Sequence, residues 1–284
     1  MRLKRTMLPT QTGVSNLPRD ELDVMSEIKK NYIMQKLKEG KRADGRKLDE
    51  FRKLTIVTNF IPRASGSAMV TLGRTKIVAG VKIEAGEPFP DTPNQGVLTT
   101  NVELLPMAFP TFEAGPPSED SIEISRVVDR GIRESKMIDM QKLVVEPAKK
   151  VWIVFVDIDV IDYDGNLIDA CTIGAVSALS TAVIPGETIG LKDSPLPITC
   201  KPVSVTMAKI GDDIVVDPDL EEEQIASARL TVTMAEDGHL KAMQKGEPGY
   251  FTIDEIQKAI KTSSDVGKLV RENYLKSFNG KKNS

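Results

Sequence analysis

The sequence predicts a mixed α+β fold, with hairpins and helices interspersed along one chain. Three observations predict it. Short runs of alternating apolar and polar residues are separated by turn signals, several stretches carry apolar residues at helical spacing, and Leu167–Val183 is apolar on nearly all sides. Frequent hairpins, without strict strand–helix alternation, argue against a doubly wound parallel sheet. At 284 residues the chain is long enough to bury a sizeable core.

Each element follows from local chemistry. Asp20–Gly40 predicts an amphipathic helix through Met25, Ile28, Tyr32 and Leu37, with Gly40 as its stop. Lys41–Arg46 forms a charged turn. Strands are expected at Lys53–Phe60, Ser67–Leu72 and Lys76–Ile83, the last two joined as a hairpin through Gly73 and Arg74. Glu84–Gly96, rich in proline and glycine, reads as a loop before the strand Val97–Leu105. A helix opens near Ser118, with Glu119 and Asp120 in its first turn and Ile124, Val128 and Ile132 as its apolar stripe. Leu143–Pro147 is ambiguous. Then come the strand Val151–Asp162 and the apolar helix Leu167–Val183, ended by Pro185 and Gly186. Val203–Lys209, Ile214–Val216 and Arg229–Met234 read as strands, with Gly211–Asp213 as a turn. The last helix starts at Thr252, whose pairing with Glu255 has the capping-box pattern, and continues through Ile256, Ile260 and Leu269.

Composition narrows the function classes. The 38 basic and 41 acidic residues leave a net charge of −3, so any contact with nucleic acid must come from a local patch. Cys171 and Cys200 lack C-x-x-C spacing and read as free thiols of a reducing, cytoplasmic setting. No window approaches the ~18 apolar residues of a membrane span. The basic N-terminus has no apolar core of a signal peptide, so residues 1–20 read as a flexible extension. Met25 is a candidate natural start. Residues 21–277 read as one domain and 278–284 as a polar tail. Walker A, G-x-G-x-x-G, H-E-x-x-H and serine-nucleophile patterns are missing, and no cofactor is implied.

Short motifs, in order, carry a resemblance. Arg42-Ala43-Asp44-Gly45-Arg46 is similar to an R-x-D-G-R opening. Gly66–Lys76 is similar to a small-residue hairpin with G-x-T-K at its turn. Glu123-Ile124-Ser125-Arg126 with Arg130 and Arg133 matches an E-I-x-R-x-x-x-R-x-x-R helix, and Val215-Val216-Asp217 matches a V-V-D element. Together these resemble the RNase PH family of phosphate-dependent 3′→5′ exoribonucleases. The resemblance implies an RNase PH-like fold of the ribosomal-protein-S5-domain-2 type. Within the family the likeness is to non-catalytic ring subunits of the archaeal exosome, resting on Glu221–Glu223 and on what is missing.

The resemblance also locates the expected chemistry and its loss. Active members hold phosphate with a Gly-Thr-Arg turn, and here Asn166, Leu167 and Ile168 stand there. An arginine before the E-I-x-R helix is replaced by Asp120, and two acids after V-V-D align with Glu223 and Arg229. A carboxylate repels phosphate, aliphatic side chains donate nothing, and a guanidinium is no proton donor at neutral pH. No catalytic residue is therefore assigned.

Arg126, Arg130 and Arg133 share one helix face, at i, i+4 and i+7. They read as a stripe touching RNA phosphates, or alternatively as a solvated face paired with Glu123, Asp129 and Glu134. Asp157, Asp159, Asp162, Asp164 and Asp169 read as solubilising charge in preference to a metal site. Glu221–Glu223 reads as a solvated acidic turn, Arg42 and Arg46 as surface ion-pair residues, and His239 as an exposed turn residue.

The expected function is a non-catalytic, RNA-positioning subunit. Its implied partners are a catalytic RNase PH-like subunit in an alternating hetero-hexameric ring (a trimer of heterodimers), RNA-binding cap subunits and single-stranded RNA, with no membrane. The alternatives are a stand-alone phosphate-dependent exoribonuclease and a protein-interaction module that never meets RNA.

Overall fold

The strongest constraint on the architecture is a helix with no polar face. In the computed structural model, which describes residues 19–276, helix α3 (Leu167–Ser180) is buried at every position from Leu167 to Leu179. A helix apolar all round must be covered on all sides, and two sheets and a second helix cover it.

The first sheet has strand order β1 (Leu54–Thr58), β2 (Gly66–Leu72), β3 (Thr75–Gly86), β6 (Lys150–Asp162), β4 (Val97–Leu104), with β5 (Val144–Glu146) beside β6. Its pairs are antiparallel except β4 with β6, whose chain crosses over through helix α2 (Glu119–Glu134). The second sheet runs β10 (Asp213–Val216), β9 (Val203–Ile210), β11 (Ala228–Met234), β12 (Leu240–Gly246), all antiparallel. β7 (Val183–Ile184) and β8 (Ser194–Pro195) form a separate ribbon. Helix α3 touches β2 and β3 of the first sheet, β9 of the second, and α2. One continuous core draws on both sheets, from Val70 and Val156 to Val205 and Val232.

Alternation explains the facing of the sheets. On β6, Trp152, Val154, Val156, Ile158 and Val160 point inward while Asp157 and Asp159 are exposed on the other face. The expected β2–β3 turn is present, with Leu72 opposite Thr75. Ser118 caps α2 through its Oγ, which accepts from the Ser121 N–H at 3.2 Å. Thr252 and Glu255 form the capping box of α5 (Ile253–Val270).

Several expectations are corrected. β3 continues to Gly86 because Glu84–Gly86 pairs with Val151–Ile153, so the loop starts later. Helix α1 (Arg19–Lys38) begins inside the residues read as extension, and it faces the second sheet through Ile33 and Leu37 while Tyr32 points outward. Leu269 is exposed, and α5 packs through Ala259, Val266 and Val270. Helix α4 (Leu220–Ile225) and strand β12 add to the elements the sequence predicts. Residues 1–18 of the expected extension and the polar tail lie outside the described residues.

Candidate nucleic-acid interface and the cleft beside it

The turn from β6 into α3 is shaped by two residues in the left-handed region, Gly165 (φ +87°) and Asn166 (φ +56°). A Cβ at Gly165 would lie 2.4 Å from the Asp219 carbonyl carbon, so this close approach of two backbones requires glycine. Asn166 Nδ2 donates to Asp169 Oδ2 at 2.8 Å and to Asp217 Oδ1 at 2.6 Å. Leu167 and Ile168 turn into the core and offer no side-chain donor, and the Asn166 amide is already engaged by Asp169 and Asp217.

An internal carboxylate sits against this turn. Glu223 Oε1 accepts from the Asn166 N–H at 2.9 Å, and Oε2 accepts from the Tyr163 hydroxyl at 2.8 Å. Burial pushes the Glu223 carboxyl up, opposed by the Asn166 N–H, Arg229, Tyr163 and Arg52. Burial, then the charge of Glu223, pushes the Tyr163 hydroxyl far up, so it remains a donor.

The V-V-D and R-x-D-G-R elements turn out to be one buried network. Asp217, fully buried, accepts from Arg52 Nη2 at 2.8 Å and Arg46 Nη1 at 3.2 Å. Arg42 is only 2% exposed, which corrects its surface assignment. It forms a bidentate ion pair with Glu222 and donates to the Val216 and Asp217 carbonyls at 2.6 and 2.8 Å. Arg46 is half-buried between Asp44 and Asp217, again not a free surface charge. The acidic run is likewise not a solvated turn. Only Glu221 faces solvent, paired with Lys29 at 2.6 Å, while Glu222 is buried and Glu223 meets Tyr163. Arg52 also donates to the Asp164 and Gly165 carbonyls at 2.5 and 3.2 Å, which ties the network to the α3 turn.

Beside the turn lies a cleft of about 320 Å3 between α2, α4 and the 105–117 loop. Its charged lining is Asp120, Glu123, Glu223 and Glu247 against Arg229, and Arg229 Nη2 is already 3.3 Å from Glu123. Phe109, Phe112 and Tyr163 form an aromatic cluster along it, with ring centroids 5.2–5.6 Å apart. The cleft therefore disfavours phosphate. Sequence reading missed the aromatic cluster, although Phe109 and Phe112 stand in the proline-rich segment before α2.

The expected arginine stripe is divided. Arg126 is exposed and has no hydrogen bond or ion pair among the described residues, and Arg130 meets only Gln244 Oε1, at 3.3 Å. The two line a shallow groove with Glu119, Glu123 and Gln244. Arg133 turns the other way: it forms two bonds to Asp129, each 3.0 Å, and donates to the Leu98 carbonyl at 3.1 Å. It fits the solvated, paired reading. Gln244, on the unexpected strand β12, joins the groove without any signal in the sequence.

The aspartates do not come together. Asp157 and Asp159 share the outer face of β6, where burial and then Glu103 and Asp157 push the Asp159 carboxyl up. Asp169 is buried on the far side, accepting from the Thr206 N–H and hydroxyl, both at 2.8 Å. Its burial raises the carboxyl to about 7 despite those bonds and that of Asn166. His239 is exposed beside Asp237, at 3.2 Å, in the β11–β12 turn. Cys171 is buried and Cys200 half-buried, and both are free. Among the described residues no helix is long and apolar enough to cross a membrane.

Comparison with known proteins agrees with this geometry. Residues 50–185 match domain 1 of the 3′ exoribonuclease family, RNase PH, and residues 200–266 match its domain 2. The chain is 65% identical over 258 residues to "Exosome complex component Rrp42" of Thermoplasma volcanium, covering 91% of this chain and 99% of that one. It is 49% identical to the protein of the same name from Thermococcus kodakarensis, covering 90% and 97%. Among solved structures, a chain of the Archaeoglobus fulgidus exosome with RNA bound to the active site superposes with a TM-score of 0.86 at 46% identity, covering 89% of this chain and all of that one. Rice Rrp46, at 17% identity and a TM-score of 0.67, shares the fold. With two domain matches in order and relatives similar over nearly their whole length, the chain belongs to the RNase PH family of 3′ exoribonucleases.

Proposed function

We propose that this protein is a non-catalytic subunit of an archaeal-type exosome core ring, positioning RNA for a catalytic RNase PH-like partner. The observation that carries the reading is Glu223, a carboxylate bonded to the Asn166 N–H at 2.9 Å where an attacking phosphate would need a donor. Around it the cleft holds further carboxylates, and its guanidinium is neutralised by Glu123. Phosphorolysis also needs a proton donor at the scissile bond, and Arg229 occupies the second acid position.

RNA meets the neighbouring groove instead. Arg126 and Arg130 grip backbone phosphates without reading bases, and the acidic cleft, which adjoins their groove at Glu123, keeps the strand from straying into it. The contribution to catalysis is positioning: a 3′ end held in line for the partner's site. Three pairs alternate in the ring, and RNA-binding caps sit on it. The similarity to archaeal exosome chains supports this assembly, and the unpaired thiols fit a cytoplasmic setting. Residues 21–277 act as one RNase PH-like unit, a reading supported by the core that both sheets share.

Incubating the purified chain with RNA and inorganic phosphate tests the proposal against a stand-alone exoribonuclease. No nucleoside diphosphate is expected from the chain alone, and release is expected once the catalytic paralogue is co-expressed with it. Nucleoside diphosphate released by the chain alone would overturn the reading.

A further inference from the structure

The cleft beside α2 repels nucleic acid, yet it is built like a binding site. Two contiguous hollows, about 320 and 520 Å3, share Leu104, Thr111, Phe112 and Asp120. One wall is aromatic: Phe112 stacks on Tyr163 with centroids 5.5 Å apart, and Phe109 meets Tyr163 edge-on at 5.2 Å. The exposed carboxylates of Asp120 and Glu247, which line the same hollow as these rings, have no hydrogen-bond or ion-pair partner among the described residues. Arg229, bonded to Glu123, is the single cation of this hollow against four carboxylates, so its lining stays net negative. Aromatic faces and unpaired carboxylates attract one class of group, a cation on an organic chain.

We propose that this trough docks a basic segment of a protein partner, with an arginine or lysine head against the Phe112–Tyr163 wall and Asp120 and Glu247 around it. Charge complementarity selects the occupant. A polyanion is excluded, and an extended peptide fits two joined hollows better than a compact ion. The inference is independent of whether Arg126 and Arg130 bind RNA.

The probe is an acetylated, amidated eight-residue peptide of alternating arginine and glycine, carrying a fluorophore and a photoactivatable benzophenone. It is added to the full chain, alone and in the ring formed with the catalytic paralogue. Binding to at least one of these forms is expected, with crosslinks on the 105–117 loop or at Tyr163. Affinity should fall about tenfold in Asp120→Asn/Glu247→Gln. Both side chains are exposed, so the variant should keep the wild-type melting temperature. Equal affinity for the variant, crosslinks elsewhere, or no binding to either form would overturn the proposal. So would spermidine displacing the peptide with an affinity as high as the peptide's own, which would reassign the trough to a free polyamine.

Discussion

Replacing Arg126 and Arg130 together by alanine should change how RNA binding by the assembled ring responds to salt. Both side chains are exposed, Arg126 is unpaired among the described residues, and Arg130 has one weak contact to Gln244, so neither holds the fold. Each phosphate contact on a single strand adds about 0.7 to the slope of log K against log salt. Losing two contacts lowers the slope by about 1.4. Between 50 and 200 mM salt the wild-type affinity should therefore fall about sevenfold further than the variant's. Fluorescence anisotropy with a labelled single-stranded RNA, titrated at several salt concentrations, reads this directly. Arg133→Ala is the internal control. Its guanidinium is bound to Asp129 and the Leu98 carbonyl, so the slope should not change. A double variant with the wild-type slope, or an Arg133→Ala slope that falls as much as the double variant's, would refute the assignment.

Other predictions concern the scaffold. Arg42→Met leaves the buried Glu222 carboxylate without its counter-charge and removes a donor from the Val216 and Asp217 carbonyls, and should cost about 3 to 5 kcal/mol in denaturant unfolding, whereas Arg42→Met/Glu222→Leu, which removes the uncompensated charge but also the Glu222 bond to the Asp219 N–H, should recover part of it. Asp169, raised to about 7 in the fold from an ordinary value near 4, binds a proton that the unfolded chain releases earlier. Its contribution to stability is complete below about pH 4 and lost as pH climbs through about 7, so Asp169→Asn should flatten that part of a stability–pH curve. Gly165→Ala must hold a side chain at φ +87° against the Asp219 backbone, and should lower stability by about 2 to 3 kcal/mol in the same unfolding assay.

Local chemistry made much of the fold legible. The Gly73–Arg74 hairpin, the helix starts at Ser118 and Thr252 and the largely apolar α3 are signals contained within a few residues, and each is found, although α3 ends at Ser180 and Val183 passes into β7. Long-range electrostatics were not legible. Arg42 sits in a charged turn, and only its partner Glu222, 180 residues away, reveals that it is buried. Distance along the chain likewise conceals Glu222 and Glu223, which read as solvated until α4 folds them onto Arg42 and, 57 residues away, the α3 turn. Strand β12 escaped because an edge strand bearing Lys241, Gln244 and Lys245 lacks clean alternation. At the candidate interface, spacing put three arginines on one face, but the pull of Asp129 on Arg133 decides which of them stay available.

The covering of α3 by both sheets has a consequence for anyone dividing the chain. The two family matches meet between residues 185 and 200, and a cut there looks natural on paper. The amino-terminal piece would carry α3 away from Val203–Ile210, exposing one side of a largely apolar helix to water and leaving the Asp169 carboxylate without Thr206. Such a fragment should aggregate, and pairing it with its other half in one cell is the way to keep it in solution.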